Sequence, residues 1–118
     1  MSQNNLFCSE HKIHEEKLAS VEDQMPPDTL LCDMAELFKI FGDHTRVRIL
    51  YALFSQELCV CDLAHILGIS QPAMSYQLRI IRQAKLIKPR REGKTVYYRL
   101  ADDHVRTILG MAKEHLEE

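Results

Sequence analysis

The chain has 118 residues, of which 46% are hydrophobic and 27% are charged, and its formal net charge is −2. This length suits one domain with its own core, and the composition is typical of a globular protein. No stretch approaches the roughly 18 apolar residues of a membrane span, and the N-terminus lacks a signal-peptide pattern. We therefore predict a cytoplasmic protein whose four cysteines are thiols or metal ligands rather than disulfides.

The N-terminal part of the chain differs from the rest. Residues 1–24 are polar and acidic, and Met25-Pro26-Pro27 then interrupts the chain. We predict a flexible or partly helical arm over residues 1–24 and a folded domain over residues 25–118. The first helix of that domain is predicted over residues 29–41, with Cys32 in its core and with Gly42 at its end, and Asp43 is placed to cap the next helix.

Two short amphipathic segments meet within residues 57–86. Gly68 predicts the end of the first helix, Ser70 is a suitable N-cap for the second, and Pro72 is tolerated in a first turn. A helix, a tight turn and a second helix with a polar outer face are typical of a helix-turn-helix. The positions predicted to face inward are Leu58, Leu63, Ile66 and Leu67 in the first helix and Ala73, Leu78, Ile81 and Leu86 in the second.

The hydrophobic pattern changes after this pair of helices. Residues 87–100 are rich in β-branched and aromatic residues on either side of Gly93, which predicts a two-stranded hairpin, or wing. A last helix is predicted over residues 102–118, with a stripe that contains Val105, Leu109 and Leu116. The predicted fold is mainly α with a small β-hairpin, a winged helix-turn-helix that serves DNA binding and dimerisation.

The charge distribution supports binding to double-stranded DNA despite the negative total. Residues 70–99 hold eight basic side chains and one acid, a local charge of +7, whereas residues 1–36 sum to −6. Phosphate binding needs such a local basic patch, whatever the net charge. The residues predicted to contact base edges or phosphates are Ser70, Gln71, Ser75, Gln77, Arg79 and Arg82 on the second helix and Arg91 and Lys94 on the wing.

Four stretches together resemble a known family. They are FGDHTRVRIL at residues 41–50, ELCVCDL at 57–63, SYQLR at 75–79 and GKTVYY at 93–98. Over roughly residues 30–118 the chain is similar to the ArsR/SmtB metal-sensing repressors, and most similar to the zinc- and cadmium-sensing branch. The resemblance implies a homodimer that binds an inverted-repeat operator, leaves it on binding metal, and controls metal efflux or resistance genes.

The last helix carries a candidate Zn(II) site. Asp102 and His104 lie at its start, and His115 and Glu118 at its end. The two histidines share a face but are separated by about 16 Å along the axis, so one ion cannot join them within one chain. Two such helices, antiparallel across a two-fold axis, would form two equivalent sites of two nitrogens and two oxygens. The spacing is similar to that of the family's interfacial zinc site.

A second candidate metal site contains Cys59 and Cys61, whose soft thiolates favour Cd(II), Pb(II) or Zn(II). Two residues apart on a regular helix, they diverge by about 200°, so Cys59 must precede the regular helix for both to reach one ion. The resemblance implies further ligands from the partner's N-terminal arm, here Cys8 with His11 or His14. Trivalent arsenic is disfavoured because Ala64 stands where the arsenic-sensing branch has a third cysteine.

Other classes of function fit less well. A thiol redox switch on the same fold would use the same two cysteines, and a metal-buffering protein would not need the basic block. The chain shows no Ser-His-Asp set, phosphate loop or paired-carboxylate cleft, so we predict that it is not an enzyme.

Overall fold

The computed structural model describes residues 14–118, so Cys8 and His11 lie outside the described residues. The chain divides into two compact units, residues 1–33 and residues 34–118. Between residues 14 and 118, no helix is long and apolar enough to cross a membrane.

Helix α1 (Glu15–Gln24) and the start of α2 (Asp28–Phe41) are the described elements of the first unit. Helix α1 ends at Met25, whose backbone N–H still donates to the carbonyl of Val21, and the two prolines follow. The prediction that Cys32 lies in the core is wrong, because its side chain is exposed near the Asp28 carboxylate. Helical spacing marks a residue as part of an apolar stripe, but it does not say what covers that stripe.

The second unit contains the helix-turn-helix and the wing. After α2, its elements are α3 (His44–Ala52), β1 (Leu58–Cys59), α4 (Val60–Leu67), α5 (Gln71–Gln83), β2 (Ile87–Glu92), β3 (Thr95–Leu100) and α6 (Asp103–Glu117). The Asp43 carboxylate accepts the backbone N–H of Arg46 at 3.0 Å and so caps α3 as predicted.

The predicted turn between the two helices of the motif is confirmed. Gly68 ends α4 with φ of +70°, a left-handed conformation that glycine adopts at no steric cost. The hydroxyl oxygen of Ser70 then accepts the backbone N–H of Ala73 at 3.2 Å, which caps α5. These two local signals determine where one helix ends and the next begins.

The wing has one more strand than the sequence predicted. Strands β2 and β3 form the expected antiparallel hairpin, and its turn contains Gly93 at φ of +63°. Strand β1 adds to the free edge of β3, with Leu58 opposite Tyr98 and Cys59 opposite Tyr97, so the strand order is β1-β3-β2. A two-residue strand is too short to show an alternating pattern, and only its pairing with β3 defines it.

The core lies where α3, α4, α5, the wing and α6 meet, and it is entirely apolar among the described residues. Two predicted inward positions are wrong. Ile66 is 53% exposed, and Ala73 is also exposed, whereas Met74 is fully buried in the place expected for Ala73. Adjacent positions on a helix differ by about 100°, so the crossing of α4 and α5 selects which of two neighbours is buried.

Candidate nucleic-acid interface and metal-ligand sites

The outer face of α5 is polar and exposed, as expected of a recognition helix. Exposed predicted contact residues are Ser70 at its N-cap and Gln71, Ser75, Arg79 and Arg82 along the helix. Tyr76 is 57% exposed beside them, and the sequence reasoning did not include it. An exposed tyrosine between predicted contact residues was the available signal, since a large aromatic side chain seldom stays on a free surface without a use.

Gln77 differs from its neighbours on α5 because the protein already holds its side chain. Its Oε1 accepts a hydrogen bond from the guanidinium of Arg46 at 3.4 Å, and the residue is half-buried. The same guanidinium donates to the backbone carbonyl of Ile40 at 3.0 Å, at the end of α2. Arg46 therefore ties the end of α2 to the middle of α5, and only the amide nitrogen of Gln77 is left to contact DNA.

The basic block is not uniformly available to phosphates. The guanidinium of Arg90 lies 2.9 Å from a carboxylate oxygen of Glu57 and 2.9 Å from one of Glu92, and 5.0 Å above the ring of Tyr97. The hydrogen bond from Arg90 lowers the pKa of Glu57 below its usual value. Arg99 lies 3.9 Å from the same Glu57 carboxylate. Within the described chain, the basic residues of the block without an ion pair are Arg79, Arg82, Lys85, Lys88, Arg91 and Lys94.

This distinction predicts different effects for two adjacent arginines. Replacing Arg91 with alanine should lower the slope of log K against log salt for operator binding by about 0.9, the value of one lost phosphate contact. Replacing Arg90 should leave that slope nearly unchanged, because its charge is already balanced by Glu57 and Glu92. Fluorescence anisotropy with labelled operator over a salt series measures both. Equal slopes for the two variants would contradict the assignment.

Asp102 and His104 lie together at the start of α6. One carboxylate oxygen of Asp102 accepts the backbone N–H groups of His104 at 2.9 Å and Val105 at 3.3 Å, and lies 3.4 Å from Nδ1 of His104. Partial burial would raise the pKa of Asp102, but the N–H groups of Val105 and His104 outweigh it, so the pKa is lowered. The carboxylate is thus charged, and the side chain of His104 is 93% exposed beside it.

The structure does not bring the other two predicted ligands of this site to the same end of α6. His115 and Glu118 are exposed at the far end of the helix, eleven residues or about 16 Å beyond His104. Among residues 14–118 of one chain, no three His, Cys, Asp or Glu side chains are grouped closely enough to hold a metal ion. Each chain therefore presents two donor pairs rather than a complete site.

The cysteine pair meets the condition that the sequence set for it. Cys59 is extended, with φ of −89° and ψ of 173°, and α4 begins only at Val60. The thiol of Cys59 donates to the Asp62 carboxylate at 3.2 Å, while Sγ of Cys61 accepts the side-chain amide N–H of Gln71 at 3.2 Å. Both thiols line one shallow pocket with the wing residues Lys94, Thr95 and Val96. His14, a suggested further ligand, precedes α1 and is exposed.

An apolar groove separates α2, α3 and α6 in the second unit. Its volume is about 480 Å³, and its rim includes Leu116, which is 82% exposed, and Phe38, which is 59% exposed. Its lining residues are Phe38, Phe41, Val47, Tyr51, Ile108, Leu109, Ala112, Lys113 and Leu116. Such a continuous exposed apolar surface is typical of a protein–protein interface.

Comparison with known proteins identifies the family. Residues 43–88, from the cap of α3 to the start of the wing, match the family of bacterial regulatory proteins called the arsR family. The chain is also 41% identical to a transcriptional repressor SmtB homolog from a Synechocystis species, over 95% of this chain and 85% of that protein. The chain belongs to the ArsR family. This ArsR protein is accordingly a transcriptional regulator and not an enzyme, as the sequence predicted.

Two further relatives of this ArsR protein agree with the identification. It is 38% identical to a cadmium resistance transcriptional regulatory protein CadC homolog from Staphylococcus aureus, over 95% of this chain and 93% of that one. The homodimeric winged helix-turn-helix DNA-binding domain of a Mycobacterium bovis regulator superposes with a TM-score of 0.74 at 27% identity, covering 80% of this chain and 89% of that one. The predicted winged helix-turn-helix fold is confirmed.

Proposed function

We propose that this protein is a metal-responsive repressor that binds an inverted-repeat operator as a cytoplasmic homodimer and is released by Zn(II), Cd(II) or Pb(II). The observation that carries the proposal is the exposed pairing of Asp102 with His104 at the start of α6, which supplies half of a four-coordinate site. Relatives named as an SmtB homolog and a cadmium resistance regulator support it. The regulated genes are those of metal efflux or resistance.

In the metal-free dimer, each α5 enters a major groove and the wing lies beside it. Ser70, Gln71 and Ser75 are placed to meet base edges or nearby phosphates, together with the free amide nitrogen of Gln77. Arg79, Arg82, Arg91 and Lys94 contact phosphates. Two-fold symmetry of the protein matches the inverted repeat of the operator.

The zinc site is completed by the second subunit. Asp102 and His104 of one chain meet His115 and Glu118 of the partner across antiparallel α6 helices, which gives two sites per dimer. The groove between α2, α3 and α6 is the apolar surface buried in this dimer, since it runs along the same helix. The exposed Leu116 and Phe38 are then covered.

The cysteine site takes softer ions. Cys59 and Cys61 provide two thiolates, and the N-terminal arm of the partner, residues 1–24, provides Cys8 with His11 or His14. Filling of either site favours a dimer in which the two α5 helices no longer match the spacing of the operator half-sites. A coupling of about 1–3 kcal/mol, the usual allosteric range, weakens DNA binding by 5- to 150-fold.

Operator release by metals tests the proposal. Operator-bound protein is titrated with zinc, cadmium, lead and arsenite, in the wild type and in a variant with Cys59 and Cys61 both replaced by serine. We expect release of the wild type by zinc and by cadmium or lead but not by arsenite, and loss of the cadmium and lead response in the variant. Wild-type protein that binds operator but responds to none of these metals would refute the proposal. Release by an oxidant alone would instead indicate a thiol redox switch.

A further inference from the structure

One hydrogen bond joins the two helices of the helix-turn-helix at their outer surface. The side-chain amide of Gln71, the first residue of α5, donates from Nε2 to Sγ of Cys61 at 3.2 Å. Both residues are exposed, and Cys61 lies in the first turn of α4. A proposed metal ligand and a proposed DNA contact therefore share one bond.

The neighbouring cysteine makes no such link. The thiol of Cys59 donates to the carboxylate of Asp62, which also accepts the backbone N–H of Cys59 at 3.3 Å. These contacts remain within the start of α4. In the described part of the chain, Cys61 is thus the cysteine that contacts the recognition helix directly.

We propose that Gln71 is a positioning residue that couples the state of Cys61 to DNA binding, through competition between the Cys61 sulfur and the operator for its amide. The proposal rests on the proposed function, because it assumes that Cys61 becomes a metal ligand. A thiol sulfur is a weak acceptor, so in the metal-free protein Gln71 leaves it for a base or phosphate at little cost. The operator-bound protein then uses the same amide for DNA.

The balance changes when Cys61 acts as a ligand. Its thiol proton passes to solvent, and the sulfur becomes a thiolate, which accepts a charge-assisted hydrogen bond. Gln71 is then retained at the sulfur and withdrawn from the DNA face. The difference between a charged and a neutral acceptor corresponds to about a fivefold change in an equilibrium constant. This link acts within one subunit and adds to any change in dimer geometry.

A Gln71→Met variant separates this coupling from DNA contact alone, because methionine keeps the length of the side chain but has no N–H donor. Ser75→Ala is the matched control: Ser75 is a predicted DNA contact on the same helix, exposed and not bonded to Cys61. Operator affinity is measured with and without cadmium. Cadmium affinity of the free protein is measured by thiolate-to-cadmium charge-transfer absorbance in competition with a chelator.

We expect cadmium to weaken operator binding by the same factor in the wild type and in Ser75→Ala, and by a factor about fivefold smaller in Gln71→Met. The free Gln71→Met protein should also bind cadmium about fivefold more weakly. A wild-type factor in Gln71→Met, or unchanged cadmium affinity, would overturn the coupling and leave the proposed function standing. A wild type that releases operator with none of the metals refutes the proposed function, and one in which cadmium at the cysteines leaves operator affinity unchanged overturns the coupling.

Discussion

A variant with His104→Ala and His115→Ala should bind operator as the wild type does and should lose its response to zinc. The zinc-induced loss of operator affinity, expected to be 5- to 150-fold in the wild type, should fall to nearly onefold. Both side chains are exposed, so their removal should cost little stability. The measurements are operator affinity with and without zinc, and the number of zinc ions bound per dimer by calorimetry, which should fall by two.

Two controls separate ligation from the fold of α6. His65→Ala removes an exposed histidine from α4, where no metal site is proposed, and should leave zinc release unchanged. Asp102→Asn keeps a good N-cap but removes the carboxylate charge, whereas Asp102→Ala also removes the cap that holds the N–H groups of His104 and Val105. Weaker zinc release in Asp102→Asn, with wild-type stability, would assign ligation to Asp102. Normal zinc release in the double histidine variant would exclude the α6 site as the sensor.

Met74→Ala should lower the free energy of unfolding by about 2–5 kcal/mol, the usual range for truncating a buried methionine. Met74 lies on the inner face of the recognition helix and is fully buried in the core, with Leu78 and Ile81 on the same helix. Its loss leaves a cavity beneath α5. Urea unfolding followed by circular dichroism measures the change.

Ile66→Ala is the matched control for this truncation. It also removes an apolar side chain from the helix-turn-helix, but from a position that is half exposed in α4. The expected loss is about 1 kcal/mol or less, because most of the side chain is already in contact with water. Both variants are compared at one protein concentration, since dimerisation makes apparent stability depend on concentration. A larger loss for Ile66→Ala than for Met74→Ala would contradict the packing described here.

The amino-acid sequence by itself determined the order of the elements and the chemistry of the candidate sites. Gly68, Ser70 and Asp43 act within a few residues of their own position, through a left-handed backbone or a cap, so their effects could be predicted from local pattern alone. The same holds for the change from helical to strand period at the wing. Asp102 with His104, and Cys59 with Cys61, are each two residues apart, so sequence spacing brought them together.

Only the tertiary structure decided which side chains are free to act. Arg90 is engaged because Glu57 lies 33 positions away in the chain but 2.9 Å away in space, and Gln77 is held by Arg46 from α3. The bond between Gln71 and Cys61 likewise depends on how α4 and α5 cross. Burial of Met74 rather than Ala73 has the same origin. Contacts between distant residues depend on the angles and distances at which elements pack, and local sequence pattern does not encode these.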